Sequence, residues 1–304
     1  MTGGSGFLLY ISLLLAGPES GLVLFCRDKG AIPSTRICPI CFTRMTWKEC
    51  SASKYTDQFM WRCGACRKVM SIRDNSFMSE KSISFGSFVS FVWAWANKNN
   101  SMTNIAELTG LHLNTITTLR RKLNNAIAEF LLLDPMVLGG EGVVVEIDES
   151  KFGKRKYHRG SRRDGQWVLG MVERGTGRCF LIPCPGNKRD RATLLPLIMA
   201  YVRPGSVIMT DGWPAYRCLP NWGYYHFPCN HSVGEYRNPI TGAHINTQEG
   251  LWTHVKKSVR GRSYISDALI EYMWRRRVNG TSGVNQIKTT FEAVFSSLKA
   301  VYGN

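Results

Sequence analysis

Two C-x2-C pairs, Cys38-Pro-Ile-Cys41 and Cys63-Gly-Ala-Cys66, constrain this chain more than any other feature. Twenty-one residues separate them. Two thiolates at that spacing in a tight turn can reach one ion, and a second such turn completes a tetrahedron. The pattern therefore predicts a zinc ribbon over residues 33–78, with Cys38, Cys41, Cys63 and Cys66 as ligands to Zn2+. Trp47, Tyr55, Phe59, Met60 and Trp61 would build the small sheet between the knuckles. So short a segment buries too little apolar area to fold alone, and metal binding of ~10–16 kcal/mol would supply the difference. Four thiolates close the coordination sphere, so this metal is structural rather than catalytic. Cys26, Cys50, Cys179, Cys184, Cys218 and Cys229 lack ligand spacing and read as packed side chains, although Cys50 could compete as a ligand.

The chain of 304 residues carries 39 Lys plus Arg against 22 Asp plus Glu, a net charge of +17. A 44% hydrophobic content excludes collagen-like, mucin-like and wholly disordered classes. An excess of positive charge on this scale points to a polyanionic partner, with nucleic acid first. No uncharged apolar run reaches the ~20 residues of a membrane span. Residues 1–32 open with the apolar run Phe7 to Ala16, which lacks the basic start of a signal peptide. A short packed helix continuing into Gly21 to Gly30 is the preferred reading there.

Residues 79–138 read as helical. Phe85, Phe88, Val89, Val92 and Trp93 recur at helical spacing between Ile83 and Lys98. Ser101 or Thr103 can cap a helix bearing Ile105, Ala106 and Leu108. Gly110 suits a left-handed turn, and Asn114 or Thr115 starts a helix bearing Ile116, Leu119 and Leu123. A small residue at Ala106, a glycine four later and a β-branched residue six after that form a helix-turn-helix pattern. Arg120, Arg121 and Lys122 would then lie on or beside a DNA-recognition helix.

Residues 139–280 alternate strands and helices. Gly142 to Ser150, Gln166 to Glu173 and Arg178 to Cys184 read as strands, the last two joined by a Gly-Thr-Gly turn. Asp190 to Val202 reads as a helix, Ser206 to Thr210 as a strand and Tyr224 to Cys229 as a weaker one. Two amphipathic helices follow, Glu249 to Arg260 and Ser266 to Arg277, and residues 281–304 form a C-terminal tail or helix. That order predicts an α/β fold, a ribonuclease-H-like mixed sheet with helices on its faces, preceded by the ribbon and the helix-turn-helix segment.

In this layout Asp148 sits on the first strand, Asp211 ends the fourth, and Glu249 opens a helix packed across them. An acid at the end of an apolar strand is costly to bury unpaired, and three converging acids repel unless cations hold them. Two Mg2+ or Mn2+ ions ~3.5–4 Å apart would do so and would activate a water or a 3′-hydroxyl against a phosphodiester. Asp148, Asp211 and Glu249 are thus both the catalytic residues and the metal ligands of this reading, with Glu146 and Glu149 open as alternative ligands or ion-pair partners.

Lys151 to Arg163 holds seven Lys or Arg in thirteen positions. Lys154, Arg155, Lys156, Arg159, Arg162 and Arg163 would hold DNA phosphates, Tyr157 and His158 could stack on a base, and a solvated hairpin tip is the plainer alternative. Lys256, seven residues after Glu249, would touch a phosphate, whereas Trp252 on the same helix face reads as core. His231 and His244 read as hydrogen-bonded structural histidines before they read as catalytic ones.

The segments VEIDESKFGKRKYHRG, QWVLGMVERGTG, VIMTDGWPAY and AHINTQEGLWTHVKK, in that order after the CPIC…CGAC ribbon, resemble the Merlin transposases and related bacterial insertion-sequence transposases. The resemblance covers roughly residues 21–280 and is most specific at IDES, TDGW and QEGLW. It implies a D-D-E transposase, a nuclear enzyme that cuts transposon ends and joins them to target DNA with divalent metal. By position the triad is Asp148, Asp211 and Glu249. The implied partners are the double-stranded DNA of transposon ends and target, and further copies of the chain in a synaptic complex. The opening residues and the tail from Thr281 depart from the family pattern. They favour an alternative reading, a host-retained zinc-ribbon DNA-binding protein that no longer transposes; a structure-selective nuclease without strand transfer is a third.

Overall fold

The computed structural model describes residues 3–52, 54–79, 83–97, 101–153, 165–229, 237–260, 264–280 and 287–303. Its contacts divide the chain into two units, Met1–Leu133 with Gly283–Asn304, and Asp134–Ser282.

The first unit opens with α1 (Gly3–Ala16) and α2 (Glu19–Asp28). The expected continuous helix breaks at Gly17-Pro18, because the proline ring cannot extend α1 and Pro18 instead takes an extended conformation as the N-cap of α2. No helix among the described residues is long and apolar enough to cross a membrane. The ribbon is a three-stranded antiparallel sheet, β1 (Thr46–Glu49), β2 (Phe59–Arg62) and β3 (Val69–Ser71). Trp47 and Trp61 face each other across β1 and β2 with ring centroids 5.1 Å apart. The guanidinium of Arg27 on α2 lies 4.2 Å over Trp47, so the ribbon core is closed partly by its neighbour.

Ser84 caps α3 (Phe85–Ala96) by accepting the Ser87 N–H, and Ser101 caps α4 (Met102–Thr109) through Asn104. Gly110 then takes the left-handed conformation, φ 68°, that ends α4 and turns the chain into α5 (Leu113–Leu133). Ile116, Leu119 and Leu123 form the buried stripe of α5. The C-terminal helix (Ile287–Tyr302, α9) belongs to this unit, where Phe295 packs edge-on against Phe88 of α3 and Tyr302 against Phe77.

The second unit is built on β5 (Val144–Phe152), β6 (Gln166–Glu173), β7 (Cys179–Pro183), β9 (Val207–Asp211) and β10 (Tyr225–Cys229). Their order in the sheet is β10-β9-β5-β6-β7. Strand β6 runs antiparallel to both its neighbours, β5 and β7, while β9 and β10 run parallel to β5. This is the ribonuclease-H-like arrangement. A two-stranded parallel pair, β4 (Leu138–Gly139) with β8 (Val202–Arg203), flanks it.

Alternation along the strands gives the sheet two apolar faces. Val145, Ile147, Leu169, Met171 and Ile208 face α6 (Arg191–Tyr201) and the 3-10 segment Pro214–Trp222. Phe152, Val168, Val172 and Leu181 face α7 (Asn246–Val259) and α8 (Ile265–Asn279).

Candidate active site

The α7 face of the sheet gathers the acids. Strands β5 and β9 pair with Glu146 beside Met209. Two residues further along each strand stand Asp148 and Asp211. A step of two preserves the face, so both carboxylates leave the same side of adjacent strands. The Trp213 N–H donates to Asp211 Oδ1 at 2.9 Å and fixes that carboxylate at the strand end.

Helix α7 is seated on this face by its first turn. Ile245, its N-cap, offers no side-chain acceptor, and the carboxylate of Glu146 on β5 replaces it. Glu146 accepts from the Gln248 backbone N–H at 2.9 Å and the Thr247 hydroxyl at 2.8 Å. Arg174 supplies the countercharge to the fully buried Glu146, with Nη2 to Oε1 at 2.7 Å. A carboxylate at a helix N-terminus satisfies free N–H groups and lies at the favourable end of the helix dipole. Glu146 is therefore an ion-paired helix cap. His244 accompanies the same pair, with Nδ1 3.3 Å from Arg174 Nη2, as a structural residue.

One turn later Trp252 reaches the acid itself, its indole Nε1–H donating to Asp148 Oδ2 at 2.9 Å. Gly170 permits this approach. It stands opposite Asp148 on β6, and a Cβ there would collide with Gln248 and lie 2.5 Å from the Trp252 ring. Trp252 is buried, as expected for core, but its polar edge also orients Asp148, a role that apolar spacing does not reveal. An isolated glycine inside the strand QWVLGMVE was the available signal of close approach.

Glu249 lies exposed in the first turn of α7. Burial holds the Asp148 carboxyl up at about 6, with the charges of Asp211 and Glu249 adding to the rise and the Trp252 hydrogen bond opposing it. Both other acids thus act on Asp148. Their oxygens stand wider apart than a closed metal set: among the described residues, only the cysteine cluster brings three or more ligand atoms within 4.8 Å of one another. The donor chemistry nevertheless fits Mg2+ or Mn2+, which take carboxylate oxygens, and their charge would offset the repulsion that raises Asp148.

Glu149 points to the opposite face, where neither carboxylate oxygen closes a hydrogen bond. Burial, then the charges of Asp148 and Asp211, push it up to about 7, against the pull of Tyr216 and Arg189.

In the ribbon the two knuckles repeat one backbone design. Cys38 N–H donates to Thr43 O and Cys63 N–H to Lys68 O, both at 2.9 Å. Phe42 and Arg67, each directly after the second cysteine of its pair, take positive φ. The four sulfurs lie within 4.8 Å of one another, and Sγ–Sγ distances of 3.3 and 3.4 Å are far beyond a disulfide bond. This cluster fits a four-thiolate metal.

The remaining sequence-predicted residues are spread more widely. Arg121 is exposed on α5, but Arg120 donates to Met102 Sδ and Lys122 to Ser79 Oγ, so both are engaged in packing. Lys256 is exposed on α7. Lys154, Arg155, Lys156, Tyr157, His158, Arg159, Arg162, Arg163 and His231 lie outside the described residues.

The sheet, the acids and the seated helix fall within one matched segment. Residues 137–266 match the ISXO2-like transposase domain of insertion sequences. This ISXO2-like segment holds Asp148, Asp211 and Glu249 together with the Trp213, Gln248 and Trp252 contacts described above. An uncharacterized transposase-like protein of Haemophilus influenzae is 35% identical over 69 residues, 23% of this chain. The chain spans about half of that relative, 54% of its length. Among solved structures, the integrase catalytic core of HTLV-2 in complex with magnesium is similar at 12% identity and TM-score 0.32, covering 51% of this chain and 97% of that one. The Mos1 strand transfer complex is similar at 10% identity and TM-score 0.22, covering 69% and 77%.

Proposed function

We propose that the ISXO2-like segment is the catalytic core of a D-D-E transposase that cuts transposon ends and joins them to target DNA. The reading is carried by one observation: Asp148 and Asp211 leave the same face of two paired strands, beneath the helix that carries Glu249. In this reading Asp148, Asp211 and Glu249 would hold divalent ions, Mg2+ or Mn2+. The bound ions would supply activation of water or a 3′-hydroxyl and neutralisation of charge at the phosphodiester. The chain's own residues do the positioning. Trp252 fixes the Asp148 carboxylate, the Trp213 N–H fixes Asp211, and Glu146 with Arg174 anchors α7, so Glu249 arrives at a set place.

Zn2+ is the metal that suits the four closed thiolates, as a structural ion. The net charge of +17, the helix-turn-helix geometry at Gly110, and the exposed Arg121 and Lys256 support double-stranded DNA as the partner. Joining two ends requires at least two copies of the chain. The Merlin subtype rests on the IDES, TDGW and QEGLW motifs.

The test is cleavage of the inverted repeats that flank the gene, in Mg2+ or Mn2+. Wild-type protein is expected to nick them, and Asp148→Asn or Asp211→Asn to abolish the nick. Cleavage that survives either substitution removes the metal assignment. Binding without cleavage by the wild type shifts the reading to a non-transposing DNA-binding protein.

A further inference from the structure

The carboxylate end of the sheet carries a second constellation, on the face opposite α7. The end of β5, the start of β6, the loop after β7 and the loop after β9 all meet at this end, because β6 runs antiparallel to β5 while β7 and β9 run parallel to it. Arg189, from the loop between β7 and α6, lies between two indoles there. Its guanidinium carbon is 4.6 Å from the Trp167 ring centroid and 4.1 Å from that of Trp213. The Trp213 indole Nε1–H donates to Arg189 O at 3.1 Å, and the Trp167 backbone N–H donates to Asn187 Oδ1 at 2.6 Å. Lys151 adds a second cation 5.7 Å from the outer Trp167 ring.

The site is built rather than incidental. A guanidinium between two aromatic faces has surrendered most of its rotamer freedom before any ligand arrives. Among the described residues no acceptor takes a hydrogen bond from it, and the acid it acts on is the buried Glu149 on the same face. Trp213 joins it to the acids directly, because the residue whose ring stacks on Arg189 also donates its backbone N–H to Asp211. A fixed, planar cation at the end of the sheet that carries the acids suits one ligand class, a phosphodiester, which the fork of the guanidinium meets with two parallel hydrogen bonds. Held there, a backbone phosphate would set the strand's distance from Asp148 and Asp211.

We propose that Arg189, clamped between Trp167 and Trp213, binds a backbone phosphate of the DNA strand presented to Asp148 and Asp211. This rests on the transposase reading and names a contact that the reading does not itself require.

The test separates charge from packing. Arg189→Met keeps the stacked volume without the charge, Arg189→Lys keeps a charge, and Arg189→Gln serves if the methionine variant fails to fold. The probe is a short DNA duplex of arbitrary sequence, titrated from 50 to 200 mM salt. One lost phosphate contact lowers the log–log salt slope by about 0.9, so wild type should lose about 3.5-fold more affinity across that range than Arg189→Met. Arg189→Lys should recover the wild-type slope. A methionine variant with the wild-type slope would overturn the proposal and leave Arg189 as a packing residue. Wild-type protein without salt-dependent DNA binding would overturn the transposase reading as well.

Discussion

The two candidate metal sites of this chain are organised in opposite ways. In the ribbon, four sulfurs already lie within 4.8 Å of one another, whereas the acids on β5, β9 and α7 keep their oxygens wider apart. The charge carried by the ligands accounts for the difference. Thiols are neutral and share hydrogen bonds, Cys38 with Cys66 at 3.4 Å and Cys41 with Cys63 at 3.3 Å. The Thr43 hydroxyl and backbone pull the Cys41 thiol down to about 6, so a single thiolate can be held among donors. Three carboxylates have no protons to share and repel. A soft-ligand site can therefore be set by its backbone turns, while a hard-ligand site needs its cations to close.

The largest expected effect is on the ribbon. A zinc-selective chelator, or Cys38→Ser, should abolish amide protection across β1, β2 and β3, since metal binding worth ~10 kcal/mol or more is folding energy in modules this small. Hydrogen exchange reads it. A ribbon that stays protected without metal would show that Trp47, Trp61 and Arg27 suffice, and the contrast with the acids would lose one side.

Next is Glu146, which separates the acids that build the site from those that would work in it. Glu146→Ala strands the buried edge of Arg174, the Thr247 hydroxyl and the Gln248 N–H. Breaking such a pair costs about 3–5 kcal/mol, measured as a fall in denaturant midpoint. A loss below ~1 kcal/mol would mean that water replaces the carboxylate and that α7 is seated by its apolar face alone.

These acids also show where sequence reading stops. Asp148 and Asp211 were legible because each terminates an apolar, strand-length run, and β6 appears over the residues its alternation marks, Gln166–Glu173. Strand β5 begins later than its apolar pattern, at Val144, because Gly140 and Gly142 take positive φ, and it runs on to Phe152 because that ring packs on Trp252. Helix α7 starts at Asn246, before Glu249, without any local capping signal, since its cap comes from a strand 102 residues away. Glu146 and Glu149 could not be told apart by composition. Only the pairing of β5 with β6 brings Arg174 to one and leaves the other against Tyr216. Local rules see what a residue's neighbours in sequence dictate, and these choices were made by neighbours in space.

Asp148→Asn should act in the opposite direction from Glu146→Ala. A carboxyl raised from its ordinary value to about 6 binds its proton more tightly in the folded state than in the unfolded one. The stability it contributes is present below pH ~4 and is lost as pH rises through about 6. In metal-free protein at pH 8 the asparagine variant should therefore be more stable than wild type, by up to about 3 kcal/mol, with the difference vanishing near pH 4. Added Mg2+ or Mn2+ should reverse the order, because only wild type gains binding energy. Equal stability of the two proteins at pH 8 without metal would mean that burial and the neighbouring acids do not strain the Asp148 carboxylate.

The smallest effect tests whether Trp252 is more than packing. Trp252→Phe keeps an aromatic ring over Gly170 but removes the N–H that Asp148 accepts. Loss of that hydrogen bond should cost about 1–3 kcal/mol in metal-free protein at pH 8, where the carboxylate is charged and its burial is otherwise uncompensated. The cost should shrink below pH 4, where Asp148 is protonated in wild type and variant alike. The same bond holds the Asp148 carboxyl down against burial, so the titration of Asp148 should move upward in the variant, as read by carboxyl carbon chemical shifts. The two readouts together separate the roles. A pH-independent loss of stability with an unmoved titration would mean that the indole acts through its volume alone. The orientation of Asp148 would then be set by the pairing of β5 with β9, and the acid site would owe its geometry to the sheet rather than to the helix lying on it.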